Sequence, residues 1–345
     1  MTRNACGLWV VVLLASNVAG ADEKPTIEDV KKAWKARQEA NKSFRIEWVE
    51  TVKYKAGCYD DLLRPPVTDV PGPHPPKDTE FTAACSFATD GDKAAAADER
   101  LSYHVSEKIW KPSLESTVFD GRTSMTAYPL DDRPGWGSVS IQKAKDQAGR
   151  DLRTRVRAPV QLFYRPMGGG AFLAFEFENA KLSDRTEKIR GVSCVEIVLK
   201  DVPPGSTYSL WCDRERGFLP IREKQRYADD RGYDLDWEYR KDDKGRWVPT
   251  GWQRTDLNPK GALRSSVKAE VKKLELDHKF AADAFAPNPP PSSYVTVYEN
   301  GDRKEDYLVR PDGSKRPLKP SERGKDPNEL IKTNADGTPY VPPKK

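Results

Sequence analysis

Apolar residues recur at every second position through most of this chain, and that spacing constrains its fold more than any other feature. In FRIEWVETVKY, Phe44, Ile46, Trp48, Val52 and Tyr54 are apolar while Arg45, Glu47, Thr51 and Lys53 are not. A strand with one buried face has this pattern. Residues 81–89 repeat it with Phe81, Cys85 and Phe87. Residues 101–110 read as a further strand, and 115–128 as a hairpin broken at Asp120-Gly121, a strong two-residue turn signal. Residues 192–199 pair with 208–213, residues 233–240 and 246–254 form a hairpin, and 267–276 close the series. One long helix precedes the strands. Thr26 is placed as its N-cap and Asp29 at N3, and Ile27, Val30 and Trp34 recur at helical spacing as far as about Ala40. Successive strands with short turns predict a mainly β (α+β) fold: a large curved antiparallel sheet or incomplete barrel with an N-terminal helix.

The first 21 residues read as a Sec-type signal peptide. Arg3 precedes a short apolar run, LWVVVLLA, which is followed by Ala19-Gly20-Ala21. The run is too short to span a bilayer, and no later segment could do so. The expected location is therefore periplasmic or extracellular. Export makes the cysteines candidates for disulfides. Cys58, Cys85, Cys194 and Cys212 allow three connectivities, of which Cys58–Cys85 and Cys194–Cys212 are preferred because each pair flanks a proline-rich turn. A β domain is expected over 22–286. A stiff Pro-rich linker, a short hairpin at Asn300-Gly301 and a polar, disordered tail are expected over 287–345.

The chemistry available is limited. With 58 basic and 53 acidic residues the net charge is +5, and no Lys/Arg block tracks a phosphate backbone, so nucleic acid is not an expected partner. The three histidines, His74, His104 and His278, have no second ligand at metal spacing, so neither a metal nor a cofactor is expected. Gly168-Gly169-Gly170 reads as a flexible loop rather than a phosphate cradle. Asp234, Asp236 and Glu238 alternate with Tyr233, Leu235, Trp237 and Tyr239. That phase describes a solvated strand face better than the paired carboxylates of a hydrolase. Trp48 and Trp237 fall on the apolar phase of their strands, which favours a core or a lined apolar cavity over a sugar-stacking surface. In 208–227, YSLWCDRERGFLPIREKQRY, Asp213 is placed to cap a turn and Gly217 to supply a positive φ between two strands.

The order of elements resembles the LolA/LolB-like superfamily of bacterial envelope proteins, which includes lipoprotein carriers and the sensor domain of RseB-type regulators. Three features carry the resemblance over residues 26–297. They are the Phe119-Asp120-Gly121-Arg122 hairpin, the W-x-D-x-x-x-G turn from Trp211 through Asp213 and Gly217 to Phe218-Leu219-Pro220, and Asp283-Ala284-Phe285 followed by proline. It implies a concave sheet, covered by helices, that encloses an apolar cavity for acyl chains. The candidate lining is Phe44, Ile46, Trp48, Val52, Trp211, Leu235 and Trp237. The implied function is that of an exported, non-enzymatic binding protein for an apolar or lipid ligand, an acyl chain or a lipidated protein. The alternatives are an envelope sensor or protein/glycan-interaction module with a fully packed sheet, and then a hydrolase. Greater length, the Pro-rich insertion at 64–76, the appended tail and the scarcity of helix to serve as a lid depart from a simple carrier.

Overall fold

The computed structural model describes residues 24–60, 72–129, 136–143, 158–167, 177–199 and 205–342. The signal peptide, the Gly168–Gly170 loop and residues 64–71 of the Pro-rich insertion lie outside them. Helix α1 (Ile27–Ala40) opens with a reciprocal cap: the Thr26 side chain accepts from Asp29 N at 3.3 Å, and Asp29 accepts from Thr26 N at 2.8 Å. Two antiparallel meanders follow. The first is β1 (Ser43–Tyr54), β2 (Thr79–Asp90), β3 (Lys93–His104), β4 (Ile109–Phe119), β5 (Ser124–Pro129) and β6 (Gly137–Gln142). After the short helix α2 (Ala158–Tyr164), the second is β7 (Ala180–Ile189), β8 (Val192–Leu199), β9 (Thr207–Asp213), β10 (Leu219–Arg226), β11 (Gly232–Lys241), β12 (Trp247–Leu257) and β13 (Leu263–Leu276). Antiparallel pairing of β1 with β13 joins the two meanders, Phe44 facing Leu276 and Tyr54 facing Ser265.

The sheet then extends past residue 286. Strand β14 (Ser293–Glu299) adds parallel to β6, and β15 (Asp302–Val309) and β16 (Lys315–Pro317) follow, giving 16 strands with β7 and β16 at the edges. The β14–β15 turn has φ 52° at Asn300 and φ 88° at Gly301. Two positive φ values match the right-handed twist of a two-residue hairpin, which is why Asn-Gly sits there.

The tail expected to be disordered is instead packed. Residues 318–342 fold back over β15 and β16 through a 3₁₀ turn and helix α3 (Pro327–Leu330). Buried Arg316 donates to Glu322 at 2.9 Å and to the Thr333 carbonyl at 2.7 Å. Trp136 donates to Asn328 at 2.9 Å and packs with Leu308 and Leu330. The tail lacks apolar residues to form a core of its own, but a polar network around two buried guanidiniums orders it, Arg310 donating to the Ile331 and Thr333 carbonyls beside Arg316.

Strand alternation gives the sheet two chemically different faces. On the inner face Phe44, Ile46, Phe87, Phe119, Ile197, Leu210, Leu235 and Trp237 join one buried cluster with Val30 and Trp34 of α1 and Phe163 and Tyr164 of α2. Trp34 is fully buried, and its indole N–H donates to the Phe218 carbonyl at 2.8 Å. Arg37 of the same helix donates to the neighbouring Gly217 carbonyl. Both carbonyls belong to the β9–β10 turn, where Asp213 accepts from Glu215 N at 2.9 Å and Arg216 N at 3.3 Å and Gly217 has φ 64°. Asp213 thus shapes a turn whose carbonyls receive the helix.

The two expected disulfides are absent; Cys58, Cys85, Cys194 and Cys212 are buried free thiols. Register explains the second pair. Cys194 lies opposite Asp213 and Cys212 opposite Val195, so the two thiols point to opposite faces. Cys212 joins the inner cluster, whereas Cys194 packs outside with Trp211 and Ile221. For the first pair, Tyr54 at the end of β1 faces Thr79, and Cys58 lies beyond Tyr54. Cys85 is six positions along β2 from Thr79, about 20 Å of strand. That far exceeds the span a disulfide bridges.

Two measurements check this architecture. Trp34→Ala should lower stability in urea by about 3–5 kcal/mol through lost burial and an orphaned carbonyl, whereas Leu114→Ala on the outer face should stay within about 0.5 kcal/mol. Denatured without reductant, the protein should expose all four cysteines of the described residues to a thiol reagent. A pair that reacts only after reduction would contradict the register.

Candidate ligand-binding cavity

Helices α1 and α2 cover only part of the inner face. The ends of β1, β2, β3, β12 and β13 continue past them and enclose a cavity of about 240 Å³. Trp48 and Trp252 pack edge to face on its wall, with centroids 5.3 Å apart. Val52 and Val267, opposite one another on β1 and β13, extend the apolar wall. Val160 of α2 closes one side, and the small Ala96 and Ala97 of β3 leave space beneath it. Towards the end of β1, Tyr54 and Tyr59 lie 5.6 Å apart and lead to an aromatic group in which Tyr54 stacks on Trp110 at 5.2 Å.

Charged side chains line the same space: Glu50, Asp98 and Asp256 with Arg100, Arg254 and Arg264. Most are tied to one another. Glu50 accepts the Trp48 indole N–H at 3.0 Å, and Arg100 pairs with Asp98. Arg254 grips Asp256 with two nitrogens at 2.9 and 2.7 Å and lies 4.1 Å over the Tyr233 ring. Asp256 also accepts from Ser265 Oγ at 3.1 Å. Behind Arg254, Glu223 is 1% exposed and accepts the hydroxyls of Tyr233 and Tyr208. Burial pushes its carboxyl pKa upward, against those hydrogen bonds and the Arg254 charge. The thiols of Cys58 and Cys85 also line the cavity, and burial pushes each up to about 12, so neither is poised as a nucleophile.

The expected lining residues divide into three groups. Trp48 and Val52 do line the cavity. Phe44, Ile46, Leu235 and Trp237 share the inner face but lie beneath the helices in the packed cluster. Trp211 points the other way: its neighbours Leu210 and Cys212 face inward, and it packs on the outer face with Ile189, Cys194 and Ile221. The carboxylates weighed for hydrolysis stay outside the cavity. Asp234 pairs with Arg226 at 2.7 Å, Asp236 with Arg222 at 2.8 Å, and Glu238 is exposed. His74 is buried against Asp60 at 2.8 Å, and no metal-ligating group of three occurs among the described residues. No helix among them is long and apolar enough to cross a membrane.

The charged lining went unread in the sequence, yet one signal was present. Glu50 interrupts the apolar phase of β1, so a carboxylate on the inner face needed a partner or a cavity.

No protein-family model and no curated protein matches the sequence. Among solved structures, an outer membrane lipoprotein-sorting protein domain from Vibrio parahaemolyticus is similar with TM-score 0.42 and 12% identity. The match covers 76% of this chain and 97% of that one. PNGF-II matches with TM-score 0.23 and 10% identity over 74% of this chain and 32% of that one. At such scores neither neighbour defines the site, whose chemistry rests on the side chains above.

Glu223 gives the site a pH signature. Its folded pKa lies above that of the unfolded chain, so the folded protein binds this proton more tightly. Stability therefore falls as pH rises from the ordinary glutamate value, about 4.3, through the raised one. Glu223→Gln should remove that fall when urea midpoints are compared with wild type from pH 4 to pH 7. An unchanged slope would mean that Glu223 is not held protonated by burial.

Proposed function

We propose that the protein is an exported, non-enzymatic binding protein that holds the apolar part of an amphiphilic ligand, such as an acyl chain or a lipidated partner, in the uncovered part of its inner face. The observation that carries this reading is the cavity lined by the contacting Trp48 and Trp252 rings and continued by Val52 and Val267. A fully packed sheet, as a purely structural sensor module would have, would leave no such space. The volume of about 240 Å³ lies just below the usual range for small-molecule sites, roughly 300–1,000 Å³. It suits a single chain or a chain segment rather than a multiply acylated anchor. Each buried CH₂ contributes about 0.8 kcal/mol, so a few of them hold a ligand reversibly without covalent chemistry.

The mixed lining refines the expectation of a purely apolar cavity. Six charged residues around one space make a poor match for hydrocarbon alone and a good one for a molecule with an apolar body and a polar end.

Delipidated protein should bind a fluorescent fatty acid saturably. Trp48→Glu should weaken that binding about tenfold or more, by loss of apolar contact and by added negative charge. Leu114→Glu, on an exposed outer position, should leave it unchanged. Absence of saturable binding across fatty acids of several lengths would refute the proposal.

A further inference from the structure

We propose that Arg264 makes the cavity selective for amphiphiles with an anionic head, a carboxylate or a phosphate monoester. This deepens the binding function proposed above and rests on it. Of the six charged side chains that line the space, five already have partners. Asp98 holds Arg100, Asp256 holds Arg254, and Glu50 accepts from Trp48. Arg264 lines the same cavity, is half-buried, and has no hydrogen-bond or ion-pair partner for its guanidinium among the described residues. Its guanidinium thus lacks a counter-charge from the protein, and a bound anion would supply one.

Position gives the site a direction. Lys55 N donates to the Arg264 carbonyl at 3.0 Å, which sets Arg264 beside the end of β1, next to Tyr54 and Tyr59. Its charge reaches Cys58 and Tyr59, where it opposes the upward push of burial on both groups. The other end of the cavity has the opposite character. Asp98 lies opposite Cys85, and Cys85 opposite Trp48, so Glu50 and Asp98 together set two carboxylates against Arg100 near the indoles. An anion is repelled from the Trp48 end and attracted to the Arg264 end, and the apolar chain runs along the strands between them. Arg254 is no substitute, because Asp256 and the Tyr233 ring already occupy it. The planar guanidinium fork matches the paired oxygens of carboxylate and phosphate alike.

Four ligands with the same tail, used below their micellar concentrations, test this at pH 7.5: dodecanoate, dodecyl phosphate, dodecanol and dodecyltrimethylammonium. Affinities would be read by titration calorimetry against wild-type, Arg264→Gln and Arg264→Lys protein. On wild type the two anions should bind about tenfold or more tighter than dodecanol, and the cation more weakly than dodecanol. Their relative affinities separate a carboxylate from a phosphate preference. Arg264→Gln should bring both anions to the level of dodecanol while leaving dodecanol itself unchanged, which also shows that the cavity is intact. Arg264→Lys should keep part of the preference. Equal binding of all four ligands to wild type would overturn the anion selectivity and leave the binding function standing. Anion preference that survives in Arg264→Gln would overturn the assignment to Arg264. Failure of all four to saturate would overturn both the selectivity and the function beneath it.

Discussion

The indole of Trp34 decides how much of the sheet is covered. Its hydrogen bond to the Phe218 carbonyl, with the Arg37 bond to Gly217, fixes α1 to the β9–β10 turn while Trp34 itself is fully buried against the inner face. A turn carbonyl facing the core needs a donor, and a buried indole N–H needs an acceptor, so each satisfies the other in a place water does not reach. With α1 held there, Phe44 and Ile46 of β1 are sealed with Leu235 and Trp237 of β11. The helix ends at Ala40, and the strands run on. The far end of β1, from Trp48 to Tyr54, is left for α2 to meet only through Val160. The cavity is thus a consequence of helix length set against strand length.

What fills that uncovered stretch is chemically mixed, and the mixture follows from partial cover. Beneath the helices the inner face is apolar, with Glu223 the exception, kept there by the hydroxyls of Tyr208 and Tyr233. Beyond them, carboxylates and guanidiniums appear on the same strand phase, paired two positions apart along β3 and along β12. Charges of this kind are tolerable only where they are hydrogen-bonded and still near solvent. Such a lining combines apolar walls with fixed polar groups, the combination that orients a ligand rather than merely absorbing it.

Much of the fold could be read from the sequence, because period-two alternation survives wherever large apolar residues carry it. Strands β1, β2, β9 and β11 follow that rule, while the Asn300-Gly301 turn and the capped helix α1 carry local signals of their own. Residues 101–110 are not one strand, since 105–108 form the turn between β3 and β4, and the first half of β3 gives no strand signal. Its AAAADERL run has no alternation of size or polarity, and its strand state comes from pairing with β2 and β4 rather than from local preference. The tail eluded composition because two buried arginines, Arg310 and Arg316, order it. The disulfides failed on register, which cysteine counts do not contain. Of the site, Trp48 and Val52 were legible as inner-face residues, and Trp211 was not, since one position of phase decides which face a side chain takes. The charged lining comes from four strands, and only strand pairing brings it together.

On this reading an apolar chain lies in the cavity whose wall the contacting Trp48 and Trp252 rings form. Titration with a fatty acid brominated in mid-chain tests it directly, since bromine quenches nearby indoles. Saturable quenching in wild-type protein that is largely lost when both Trp48 and Trp252 are replaced by Phe, with binding retained by calorimetry, is the predicted result. Quenching that persists undiminished in the double replacement would place the chain elsewhere and contradict the account.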